Sequence, residues 1–84
     1  MSPAKKEVDM TTYSGRIAAK MRIVREKKQL DAAKVAKRMT KFGWPITMAA
    51  YRHWENGTRK QNVDAIPYIA KALGVKPHDI LPEK

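Results

Sequence analysis

The stretch Pro45–Gly57, P-I-T-M-A-A-Y-R-H-W-E-N-G, decides how the rest of the chain is read. The Thr47 hydroxyl can accept from a first-turn amide and Gly57 can close the far end, so the spacing predicts a helix between them. Ala50, Tyr51 and Trp54 fall on one apolar side, with Thr47 one turn earlier. Met48, Ala49, Arg52 and His53 turn the other way, onto a short, partly cationic face without carboxylates. Such a helix can anchor one side in a small core and lay the other along a nucleic acid.

Composition sets the outer bounds. At 84 residues the chain implies one small domain. A hydrophobic content of 43% supports a single core with a small stability margin. The formal net charge of +10 favours polyanionic partners, among which DNA, RNA and anionic membranes all qualify. The absence of cysteine excludes a disulfide framework and any thiolate metal site. No apolar run approaches the ~20 residues that span a bilayer, and no signal-like segment follows the start, so a soluble, cytoplasmic protein is expected.

Upstream of the central stretch, residues 1–12 are polar, lack periodicity and read as a flexible tail. A basic arm through Lys5 and Lys6 is the sharper alternative, though Glu7 and Asp9 partly cancel that charge. Ser14 is the expected N-cap of a first helix from Gly15 to about Lys28, with Ile17, Met21 and Val24 as its apolar stripe. Asp31 caps a second helix whose stripe is Ala32, Val35, Ala36 and Met39. Lys34 stands where a capping-box glutamate belongs, so only the Asp31 half of that signal is present. Gly43 and Pro45 break the chain, and Phe42 and Trp44 are expected to fold back as a satellite cluster, with an exposed tryptophan for base stacking as the sharper alternative.

Downstream, Thr58–Gln61 is a polar, cationic loop. Asn62 is placed to cap a fourth helix carrying Val63, Ile66, Ile69, Ala70 and Leu73. Pro67 falls about a turn inside that helix and is expected to weaken it. Gly74 ends it, and P-H-D-I-L starts a fifth, short helix whose Ile80 and Leu81 cover the bottom of the core. No segment reads as a strand.

W-E-N-G-T-R-K (Trp54–Lys60), I-A-K-A-L-G-V (Ile69–Val75) and H-D-I-L (His78–Leu81) together resemble the Cro/C1-type helix-turn-helix family of phage repressors and small bacterial regulators. The run I-x-x-x-M-x-x-V-R-E-x-K-x-L-D-x-x-x-V-A, Ile17–Ala36, is similar to the family's first two helices. The resemblance spans about Gly15 to Leu81. It implies an all-α, compact five-helix, lambda repressor-like DNA-binding domain over residues 13–84. One departure stands out: Thr40–Trp44 is an insertion of roughly five residues where the family has a tight turn, which either enlarges the connection between helices 2 and 3 or lets the second helix run on toward Phe42.

Position by position, the resemblance implies a base-reading face of Thr47, Met48, Ala49, Arg52 and His53. Phosphate contacts are implied at Ala32, Asn56, Thr58, Arg59 and Lys60, with Lys41 of the insertion added. Arg25 matches a family arginine that pairs with the glutamate of W-E-N-G, here Glu55. As an exposed pair its expected value is positional, under ~1 kcal/mol.

The residue chemistry is compatible with that assignment. Arg52 can bond two acceptors on guanine, Met48 and Ala49 can contact a thymine methyl, and His53 can donate to a phosphate or base acceptor. A solvated helix face is the plain reading of Arg52 and His53 without the flanking motif, and gap filling that of Met48. Arg59 and Lys60 suit phosphates better than bases. The carboxylates are few and scattered, His53 and His78 are far apart in the expected fold, and no nucleophile motif or phosphate loop occurs. No enzyme activity, cofactor, metal or small-molecule substrate is therefore expected.

Three readings follow. The first is a sequence-specific double-stranded DNA-binding regulator, a repressor by resemblance, nucleoid-associated and homodimeric on an inverted repeat, with the last helix as the first guess for the dimer surface. The second is a protein-interaction module of the same fold, as in antitoxins or coactivator-like members. The third is charge-driven binding to RNA or an anionic surface.

Overall fold

The computed structural model describes residues 8–82. It contains four α-helices and, among the described residues, no strand: α1 Tyr13–Lys27, α2 Ala32–Phe42, α3 Met48–Asn56 and α4 Ile66–Leu73. Single 3-10 turns, Val63–Ala65 and Pro77–Asp79, flank α4. α2 packs on both α3 and α4, and α1 packs on α3. Met21, Val35, Met39, Tyr51, Ile69, Leu73 and Ile80 are the largest fully buried side chains and form one core. No helix is long and apolar enough to cross a membrane.

The expected fifth helix is only one 3-10 turn, because Pro77–Asp79 lies between the helix-ending Gly74 and the stop at Pro82. Ile80 is nonetheless fully buried beneath α4. It is spent on the core and cannot serve the dimer surface first guessed for this region. Leu81 remains half-buried.

α1 starts earlier than Ser14 suggests. Thr12 is the cap, its hydroxyl accepting from Gly15 N at 2.9 Å. Ser14 instead donates to Gln61 Oε1 at 2.8 Å. Residues 8–12, expected in a flexible tail, are folded onto the domain. Asp9 Oδ1 accepts from Thr11 N at 3.0 Å, Asp9 O from Thr12 N at 3.2 Å, and Arg16 Nε donates to Met10 O at 2.9 Å. The Thr11 hydroxyl and amide hold the Asp9 carboxyl below its usual pKa. A methyl group on Gly15 would stand 1.9 Å from Asp9 O, so this close approach needs glycine. The Lys5–Lys6 arm lies outside the described residues.

The turn that follows α1 places Gln29 at φ 58°. That left-handed conformation closes the helix through Leu30 N donating to Arg25 O at 3.0 Å. An L side chain there is strained. Gln29→Gly is expected to stabilise the domain by about 0.5–1 kcal/mol, read as a raised urea midpoint. A lowered midpoint would show that the Gln29 side chain contributes more than its backbone costs.

Asp31 caps α2 as expected, accepting from Lys34 N at 2.8 Å. The helix then runs past Met39 to Phe42, so Thr40, Lys41 and Phe42 of the insertion are absorbed as extra helix. The remaining connection, residues 43–47, is pinned by Thr40. Its hydroxyl accepts from Ile46 N at 3.2 Å and donates to Ala36 O at 3.1 Å. Trp44 folds back and meets Tyr68 with ring centroids 5.6 Å apart. Phe42 stays more exposed, with Lys71 Nζ 4.8 Å over its ring.

Pro67 does not distort α4. The helix begins at Ile66, after a 3-10 turn that Asn62 caps by accepting from Asp64 N at 2.9 Å. Proline therefore sits in the first turn, where its missing N–H has no intrahelical partner to lose. At the other end, Arg38 Nη1 donates to Ala72 O at 3.0 Å and Lys28 Nζ to Gly74 O at 3.2 Å. Two cations thus serve the C-terminus of α4, where the helix carries partial negative charge.

Candidate nucleic-acid interface

The Thr47 hydroxyl accepts from Ala50 N at 3.0 Å and starts α3, while Gly57 at φ 82° closes it. The left-handed turn at Gly57 has no Cβ to accommodate, and Val8 lies over it. Between these caps Tyr51 is fully buried and Trp54 is half-buried against the core. Thr47, Met48, Ala49, Arg52 and His53 are all exposed, Met48 at 41% of its surface. Met48 is therefore not filling a gap in the core, and Arg52 and His53 are uncovered by the protein's own chain.

Arg25 and Glu55 hold this helix to α1 through two parallel hydrogen bonds. Nε donates to Oε2 at 2.7 Å and Nη2 to Oε1 at 2.8 Å, while Nη1 caps Leu30 O at 3.0 Å. The pair is not the exposed one expected. Its side chains keep 17% and 6% of their surface, because α1 and α3 close over them. Glu55, and less so its charge at longer range, holds the Arg25 guanidinium above its usual pKa against the opposing effect of burial.

Tyr51 Oη is enclosed beside this pair without a hydrogen-bond partner. Burial first, then the Glu55 charge, pushes its phenol far above the ordinary value. An enclosed hydroxyl without a partner costs roughly 1–3 kcal/mol. Tyr51→Phe is accordingly expected to leave the melting temperature unchanged or raise it. A fall of several degrees would mean that the hydroxyl bonds Glu55 in solution.

The six residues implied for phosphate contact do not form one group. The start of α2 at Asp31 and Ala32 shares a polar cleft with Arg22, Arg25, Arg52, Glu55 and Asn56, so one exposed carboxylate stands among its cations. Ala32 contributes no exposed side chain, only the backbone of a helix N-terminus. Arg59 lines a separate cleft with Thr47, Ala50, Trp44 and Trp54. Lys60 stands beside Thr12, Tyr13 and Val63, nearer the start of α1. Lys41 is exposed in the last turn of α2. Thr58 is engaged by His53, its Oγ1 2.8 Å from Nδ1.

Two residues were not visible as parts of this site. Arg22 adds a cation beside Arg52 and Asn56, and its position one turn before Arg25 on α1 was the available signal. Gln61 had no such signal. Its amide donates to Ser14 O at 3.2 Å and Trp54 O at 3.1 Å, joining the end of α3 to the start of α1. Among the described residues no cluster of His, Asp or Glu is placed to hold a metal ion. Comparison with protein-family models, curated proteins and solved structures finds no match to this chain.

Proposed function

We propose that this chain is a small, sequence-specific double-stranded DNA-binding regulator with a lambda repressor-like arrangement of the Cro/C1 type, α3 lying in the major groove. The observation that carries the reading is the division of α3. Tyr51 and Glu55 are buried, whereas Met48, Ala49, Arg52 and His53 stand out on a face free of carboxylates. Around that face lie Arg22 and Arg59, which suit phosphates. The +10 charge supplies long-range attraction. One domain of this size reads few base pairs, so a homodimer on an inverted repeat is the expected functional unit, as a repressor on the bacterial nucleoid.

Selection from randomised duplexes at moderate salt tests the reading. An enriched inverted-repeat motif is expected. Recovery of duplexes without any shared motif would overturn it in favour of charge-driven binding or a protein-interaction role.

A further inference from the structure

His53 lies in the last turn of α3, where its carbonyl and its ring engage the same short piece of chain. His53 O accepts from the amide of Gly57, from that of Thr58 at 3.1 Å and from that of Arg59 at 3.2 Å. A carbonyl offers two lone pairs, so three amides leave little for a fourth donor. The Thr58 hydroxyl oxygen is 3.2 Å from that carbonyl but 2.8 Å from His53 Nδ1. The 2.8 Å contact fits donation in either direction, but an Nδ1–H donating to Oγ1 would leave the hydroxyl proton to the carbonyl as a fourth donor, so we infer that the proton lies toward Nδ1. Nδ1 then accepts, and the neutral imidazole carries its hydrogen on Nε2. His53 is exposed, and Nε2 has no hydrogen-bond partner among the described residues.

Resting on the duplex-binding reading above, we propose that Thr58 is a positioning residue that fixes His53 as an Nε2–H donor for an acceptor on a base edge. Guanine, with N7 and O6 side by side in the major groove, fits that donor best; the amino group of cytosine does not. Thr58 then acts on specificity through His53 rather than on general affinity through a phosphate. The two roles predict different losses, because phosphate contacts weaken every duplex alike.

The test has two arms. A long-range proton–nitrogen correlation spectrum of the free, nitrogen-15-labelled protein reads the His53 tautomer, and the Nε2–H pattern is expected. The Nδ1–H pattern overturns the proposal. In the second arm, Kd is measured for the selected duplex and for a scrambled one, with wild type, Thr58→Val and Thr58→Ser. Thr58→Val is expected to lower the preference between the duplexes by roughly three- to tenfold, through the selected duplex alone, and Thr58→Ser to restore it. Equal weakening of both duplexes by Thr58→Val overturns the positioning role and leaves the regulator reading standing. A wild type that prefers neither duplex overturns both, and is seen before any variant is made.

Discussion

Glu55→Ala is expected to lower the stability of the domain by about 3–5 kcal/mol. The carboxylate is 5% exposed and takes two hydrogen bonds from Arg25. Its removal leaves a guanidinium enclosed between α1 and α3 with only Leu30 O as partner. An uncompensated buried charge costs far more than the net worth of the pair. Small domains hold only ~5–15 kcal/mol in total, so the variant is expected to sit near its unfolding transition at ambient temperature. Urea denaturation followed by circular dichroism measures the loss. The double variant Arg25→Met, Glu55→Leu is expected to recover most of it, since two apolar groups leave no charge stranded. A loss under ~1 kcal/mol for Glu55→Ala would show the pair behaving as a solvated surface pair.

Arg52→Ala is expected to flatten sequence preference while leaving the fold intact. The side chain is exposed and lies on the face opposite Tyr51, so its truncation removes nothing from the core. A bidentate arginine–guanine contact discriminates by about 1–3 kcal/mol, or roughly 5- to 150-fold. Competition between the selected duplex and one changed at a single G·C pair reads that ratio. Lys60→Ala supplies the contrast, because a phosphate contact weakens all duplexes and reduces the salt slope by about one. Equal effects of the two variants would place Arg52 on the backbone and remove its role as a reader.

The parts legible in the sequence are those with a local physical cause. Thr47 and Gly57 bound α3 because cap chemistry acts within a few residues, and the helical spacing of Tyr51 and Trp54 already marked the inward side. Asp31 and the stripe of α2 were legible for the same reason. What escaped depends on contacts made across the chain. Gln61 reaches Ser14 across 47 positions and carries no periodic signature. Burial of Glu55 follows from how α1 meets α3, so its energetic weight could not be read from the Arg25 match alone.

Other differences come from competing local signals. Thr12 outcompetes Ser14, two residues on, as a cap because residues 8–12 turn back through Asp9. A helix beginning at Ile66 rather than several residues earlier changes Pro67 from a disruption into a first-turn residue. Of the two arrangements open for the five-residue insertion, the extension of α2 to Phe42 is the one found, limited by Gly43 in a left-handed conformation at φ 117°.

The account turns on which surface of this protein meets a duplex, and an amide chemical-shift titration of the labelled protein with the selected duplex asks that directly. The largest shifts are expected along Thr47, Met48, Ala49, Arg52 and His53, with Leu73 and Ile80 in the core little changed. Shifts gathered instead around Ile23 and Met10, with α3 silent, would contradict it.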